Sequence, residues 1–211
     1  HSVVCSFYAH SLLAITVKFF YFNFLKDINN NNNNNKMDLD KLVYEKENVL
    51  SKEICDDIIN RFENDKKNQT RGFTVAGVNK DVKDTMDLML SYHDEWKDID
   101  TLINKGVYTH FEIYREQLTF INLENGNEIP IFSFPRQVGD KGYQIQKYKQ
   151  NEGKYVWHTD NQVNDKGKER LITFLFYLND IDKGGETDFH YKKIIPRTGK
   201  LLLFPATCTF P

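Results

Sequence analysis

Arg170-Leu171-Ile172-Thr173-Phe174-Leu175-Phe176-Tyr177-Leu178-Asn179 is the stretch on which the fold turns. In an extended chain side chains alternate between two faces. Thr173, Leu175 and Tyr177 therefore share one face, and Ile172, Phe174, Phe176 and Leu178 share the other. A run that is largely apolar on both faces belongs in the middle of a sheet, covered on each side. Two hydroxyls four residues apart, on Thr173 and Tyr177, interrupt the apolar surface. They read either as groups satisfied at a sheet rim or as the lining of a polar pocket.

Outward from this strand, the chain after Pro135 breaks into short strand-like runs at 143–148, 155–160, 189–195 and 200–204, separated by Gly, Asn, Asp and Lys. Upstream the pattern is helical. Ser51 can cap a helix in which Ile54, Ile58, Ile59 and Phe62 fall on one face. A second helical pattern runs over 93–121, with Trp96, Ile99, Ile103, Val107, Phe111, Tyr114, Leu118 and Ile121 at three- and four-residue steps, and Gly106 as a point of bending or division. Helices followed by strands predict an α+β fold, helices packed on one side of a sheet system. The boundaries this gives are a helical support region at 37–140 and a strand-rich core at 141–211.

Residues 1–36 read differently. The segment 3–25 is rich in apolar and aromatic residues, but Lys18 near its middle is costly for a membrane span, which wants roughly 20 predominantly apolar residues. It lacks the basic start of a secretory signal. The tract 29–35 is all Asn and has nothing apolar to bury, so disorder is expected there. The first Met is Met37, and 1–36 is accordingly expected to be a leader foreign to the folded unit or disordered, with a poor membrane anchor as the alternative.

Bulk composition excludes several classes. With 28 basic and 30 acidic residues the formal charge is −2, which gives no global attraction to nucleic acid or acidic membranes. The 3 cysteines, Cys5, Cys55 and Cys208, are far apart and form no C-x-x-C pair, which argues against a disulfide framework or zinc-thiolate site and for a cytoplasmic protein.

His158-Thr159-Asp160 is the chemical candidate. On a strand, residues two apart project to the same side, so an imidazole and a carboxylate stand together. They supply two positions of a 2-His-1-carboxylate facial triad, which binds iron(II) and leaves coordination positions open. Alone, H-x-D is a weak signal, and a surface His beside a solvated Asp explains it as well. His110 and Glu112 make the same pattern inside a helical stretch where such residues do not share a face. His93 reads as helix-start polarity and His190 as a structural or surface residue.

The surroundings make the difference. The order Gln144-Ile-Gln-Lys-Tyr148, Gly153-Lys-Tyr155, His158-Thr-Asp160, Arg170…Thr173…Tyr177-Leu-Asn179, Gly184-Gly-Glu-Thr187-x-Phe189 and Pro196…Gly199-Lys-Leu-Leu-Leu-Phe204-Pro205 resembles the catalytic domain of prolyl 4-hydroxylase-type 2-oxoglutarate- and Fe(II)-dependent dioxygenases. The resemblance covers about residues 143–205 and, less specifically, the helical support from Val49. It implies a double-stranded β-helix (jelly roll) with the metal at its open end and N-terminal supporting helices. It implies His158 and Asp160 as catalytic iron ligands, Tyr148 and Tyr177 with Thr173 beside them as binders of the cosubstrate, and Gly184-Gly185 as a tight turn. It implies Fe(II), 2-oxoglutarate and O2, with ascorbate as a sustaining reductant. The implied reaction hydroxylates a C–H bond, first of all of a peptidyl proline, and releases succinate and CO2. The implied partner is a protein or peptide substrate, with neither nucleic acid nor membrane expected.

Two family elements do not occur in the stretch that matches: a second His shortly after the Phe-Pro equivalent to Phe204-Pro205, and a Lys or Arg further on that binds the distal carboxylate of 2-oxoglutarate. Both are expected just past Pro211, together with the last strands, so the jelly roll is expected to be incomplete and the 211-residue chain to turn over little. An inactive jelly-roll binding module is the alternative, and a cupin-like enzyme with another metal fits less well because a carboxylate follows the first His.

Overall fold

The computed structural model describes residues 12–21, 42–118, 121–122, 128–129, 139–161 and 169–210. Ser51 starts the first helix, α1 (Lys52–Asn64), and its hydroxyl accepts the Ile54 N–H at 3.4 Å. Cys55, Ile58 and Phe62 form the buried stripe of α1, with Ile54 and Ile59 partly buried beside them. The second helix, α2 (Lys97–Gln117), starts later than its apolar periodicity predicts. Two single 3-10 turns, Leu90–Tyr92 and Asp94–Trp96, precede it. Gly106 does not divide α2, and a Cβ there would make only ordinary contacts, at 3.8 Å to Phe176 and Val49.

The strands in chain order are β1 (Leu12–Tyr21), β2 (Tyr44–Lys46), β3 (Thr70–Arg71), β4 (Lys83–Asp84), β5 (Met86–Met89), β6 (Ile121–Asn122), β7 (Glu128–Ile129), β8 (Gly139–Tyr148), β9 (Lys154–Tyr155), β10 (His158–Thr159), β11 (Glu169–Tyr177), β12 (Thr187–Asp188), β13 (Lys193–Ile194), β14 (Leu201–Pro205) and β15 (Thr209–Phe210). Seven of them make one sheet in the order β2-β14-β11-β1-β8-β5-β3. The pairs within it are antiparallel. As its two-faced apolar pattern predicts, β11 is interior, flanked by β1 and β14.

The largest departure from expectation is β1. Leu12–Tyr21 lies within the segment expected to stand outside the folded unit, yet it is the sheet's central strand, paired to β8 on one side and β11 on the other. Leu13 and Ile15 are buried on one face and Ala14 on the other. The Leu13 N–H donates to Asn179 Oδ1 at 2.9 Å, and the Leu13 carbonyl accepts from the Leu178 N–H at 2.9 Å. The physical reason lies in the residues themselves. Leu-Leu-Ala-Ile-Thr-Val is mostly apolar and ends in β-branched residues, which suits a strand in the middle of a sheet. The Asn tract at 29–35 lies outside the described residues.

The sheet separates two apolar clusters. One face carries Leu13, Ile15, Ile145, Phe174 and Phe176 against α1 and α2. The other carries Tyr177, Leu202 and Phe204 against Ile181, Phe189 and Ile194, with Tyr148 and Leu175 packed on them. The helical layer is pinned to β14 through Gly199, whose carbonyl accepts the N–H groups of Val49 and Leu50. Gly199 has φ +75°, and a Cβ there would sit 2.0 Å from the Leu50 carbonyl oxygen, so this approach requires glycine. A large antiparallel sheet with helices on one face is compatible with a jelly roll. Among the described residues no helix is long and apolar enough to cross a membrane.

Candidate metal centre

The run 155–160 is not one strand. β9 pairs with β4, β10 pairs with β15, and Val156-Trp157 lie between them. The two candidate ligands nevertheless converge, with His158 Nε2 3.9 Å from Asp160 Oδ1. Two metal–ligand bonds of about 2.1 Å each span up to about 4.2 Å, so one ion can reach both atoms. Their side chains are only 14% and 4% exposed.

The protonation of His158 follows from its neighbour. Nδ1 lies 2.9 Å from the Val156 carbonyl oxygen, which can only accept, so Nδ1 carries a proton, and Nε2 is the ring nitrogen on the side of Asp160. Above the ring, Tyr155 stacks at 3.5 Å between centroids and 19° between planes. Asp160 is oriented by β11: Thr173 Oγ1 donates to its Oδ2 at 2.9 Å, leaving Oδ1 toward the imidazole. Arg170 adds a cation beside the same carboxylate, its Nη1 3.5 Å from the Asp160 carbonyl oxygen and 4.0 Å from Oδ1. Burial lowers the Arg170 pKa and the Asp160 carboxylate pulls it back up, so the guanidinium stays charged.

Of the five residues singled out from sequence, the structure brings His158, Asp160 and Thr173 together, and Tyr148 and Tyr177 lie on the same face of the sheet as Thr173. Thr173 is tied to the carboxylate of Asp160. The Tyr177 hydroxyl is 2.6 Å from Thr187 Oγ1, and the Tyr148 hydroxyl donates to Gln146 Oε1 at 3.2 Å. Burial holds the Tyr148 phenol well above its ordinary pKa and pushes Tyr155 up to about 12, so both remain protonated at neutral pH. Gly184 and Gly185 both take left-handed backbone, with φ 82° and 74°. His110 is structural, its Nδ1 2.9 Å from the Tyr44 hydroxyl.

Thr16 is a residue that sequence reasoning misses, because its segment reads as foreign to the folded unit. On β1 it pairs with Leu175 on one side and Gln144 on the other. Its hydroxyl is buried and makes no hydrogen bond in the structure. A buried orphan hydroxyl beside Tyr177 and Thr173 suits a polar molecule held between the sheet and His158. The donor set itself, one imidazole and one carboxylate, suits a divalent transition metal. Among the described residues no group of three or more His, Cys, Asp or Glu side chains could hold a metal ion, so two ligands of the expected triad are in place and the third is not among them.

Residues 143–211 match the 2OG-Fe(II) oxygenase superfamily. The chain is also similar to Prolyl 4-hydroxylase 5 of Arabidopsis thaliana, 34% identical over 92 residues, which is 42% of this chain and 28% of that protein. The chain therefore spans little more than a quarter of the length of this curated relative. No solved structure matches it.

Proposed function

We propose, from the premise that residues 143–211 are a 2OG-Fe(II) oxygenase segment of the prolyl 4-hydroxylase type, that this chain forms the larger part of a jelly-roll site where a C–H bond of a protein or peptide, a peptidyl proline first, is hydroxylated. The observation that carries the reading is the convergence of His158 Nε2 and Asp160 Oδ1 at 3.9 Å, with each side chain oriented by a second group. Bound Fe(II) with 2-oxoglutarate and O2 would supply the oxidising chemistry, with succinate and CO2 released and ascorbate as a sustaining reductant.

The chain's own residues would do the rest. His158 offers Nε2 because Val156 holds the proton on Nδ1. Asp160 offers Oδ1 because Thr173 occupies Oδ2. Thr16, Tyr148 and Tyr177 line the sheet side, where they would receive the oxygen atoms of the cosubstrate. Free thiols at Cys55 and Cys208 accord with residence in the cytoplasm.

The test is succinate formation by a chain that supplies the second His and the basic residue besides these residues, given Fe(II), 2-oxoglutarate and a proline-rich peptide. Succinate is expected, lost in both His158→Ala and Asp160→Ala. Absence of succinate together with absence of bound metal would assign the fold to a non-catalytic binding module instead. Mass spectrometry of the peptide locates the added oxygen, and its appearance away from proline would overturn the substrate assignment alone.

A further inference from the structure

Lys83 and Asp87 form an ion pair inside the molecule, Nζ to Oδ2 at 2.7 Å, with side chains only 4% and 1% exposed. Charges buried this deeply carry a desolvation penalty that their attraction often fails to repay, so stability alone is a weak reason for the pair. What sets it apart is where its remaining contacts go. Each partner reaches a different side of the candidate metal centre.

Lys83 lies on β4 opposite Tyr155 of β9. Its Nζ stands 5.4 Å from the centre of the Tyr155 ring, and that ring stacks on His158 at 3.5 Å. A cation over an aromatic face is attracted to it, the more so away from water. Tyr155 is thus held by Lys83 as well as by its stack on His158, and the tilt of the imidazole depends on both.

Asp87 lies on β5 opposite Gln146 of β8. Its Oδ2 also accepts Gln144 Nε2 at 3.1 Å; Gln144 Oε1 accepts Gln146 Nε2 at 3.0 Å; Gln146 Oε1 accepts the Tyr148 hydroxyl at 3.2 Å. A carboxylate can only accept, so it dictates the direction of every link. Both amides must turn their nitrogens toward Asp87, and the Tyr148 proton must point at Gln146. Gly72 passes so close that a Cβ would lie 1.9 Å from Thr85 Oγ1 and 3.2 Å from Asp87 Oδ2, so the backbone there closes the pair in.

We propose that the buried Lys83–Asp87 pair is a positioning device for this centre: Lys83 fixes the Tyr155–His158 stack, Asp87 fixes the Tyr148 hydroxyl through Gln144 and Gln146, and their bond sets the two halves relative to each other. The roles of His158 and Tyr148 rest on the function proposed above; the positioning itself does not. Neither Lys83 nor Asp87 touches the reacting atoms.

The test begins with the imidazole C–H resonances of His158 in the 211-residue chain, assigned by their absence in His158→Gln. Stacking under Tyr155 displaces them upfield. The double variant Lys83→Met/Asp87→Leu, which leaves no unpaired charge, is expected to keep a cooperative thermal transition while these resonances move toward those of an unstacked imidazole. Lys83→Arg, which retains both the cation and the pair, is expected to preserve the upfield position. A Co(II) titration followed by visible absorption is expected to show affinity reduced about tenfold in the double variant. A folded double variant whose His158 resonances stay where the parent's are would overturn the proposal. If the double variant does not fold, Lys83→Gln is read in the same way, and unchanged resonances there would overturn it equally. A chain supplied with the third ligand that still binds no Co(II) would count against the proposed function, while a lost upfield shift in the double variant would still uphold the positioning role.

Discussion

Thr173 shows how a single hydroxyl can decide what a carboxylate does. By donating to Oδ2 it leaves Oδ1 of Asp160 as the oxygen that faces His158. Thr173→Val keeps the shape and removes the donor. It is expected to weaken Co(II) binding by about 10- to 100-fold, the usual effect of losing a group that orients a metal ligand, with little change in secondary structure by circular dichroism. Retained affinity in that variant would show that Asp160 needs no such restraint. His110 offers a residue-scale test away from the centre. Burial, and then the positive charge of Lys46, lower its pKa in the folded chain below the ordinary value of 6.5. Below about pH 6.5 the unfolded chain therefore binds the proton more readily, so stability rises with pH through that window and is lost as pH falls toward the folded-state value. Urea midpoints measured between about pH 5 and pH 7 should fall less steeply on acidification in His110→Gln than in the parent. At this scale spacing in the sequence sets His158 near Asp160 and Thr173 on one face with Tyr177, but it is the resemblance of the whole ordered set that singles them out. Lys83, Asp87 and Thr16 are not legible, because an isolated Lys, Asp or Thr carries no sign of burial until the strands around it are assembled.

Among the elements, β11, β14 and both helices are readable because each buries a continuous apolar face with its own period. The strands β3, β4, β9, β12 and β13 have two residues each, too few for any periodicity to register. Of the expected strand 189–195 only Lys193–Ile194 is strand, as β13; 189–192 is the connection from β12, with His190 at φ 58°. β1 is hidden for another reason: its neighbour in sequence is an Asn tract, and its neighbours in space are more than a hundred residues away. A chain that begins at Met37 removes it. Such a chain leaves facing backbone groups of β8 and β11 without partners in the middle of the sheet and uncovers the face that Leu13 and Ile15 bury. It is expected to lose its cooperative thermal transition and to elute as aggregate in size exclusion. A Met37-start chain with an unchanged thermal midpoint would show that β1 is dispensable.

For the molecule as a whole, the sheet works as a partition. Side chains pointing to the helices hold the fold together, and side chains pointing the other way build the centre, so the two duties should respond separately to substitution. Phe176 tests the first. It is fully buried among the helix-side cluster and sits one residue before Tyr177, whose hydroxyl lies on the opposite face. Phe176→Ala leaves a cavity under α2 and is expected to cost about 3–5 kcal/mol, read as a lowered urea midpoint. Tyr177→Phe tests the second. It keeps the ring, removes the contact with Thr187 Oγ1, and should lower stability by only about 1 kcal/mol, the net worth of an ordinary hydrogen bond. If the partition holds, Phe176→Ala chains that remain folded in the absence of urea keep the parent's affinity for Co(II), because none of the groups around His158 and Asp160 has moved. Equal losses of stability and of metal affinity in Phe176→Ala would mean that the sheet transmits packing changes from one face to the other, and that the centre depends on the whole core rather than on its own face.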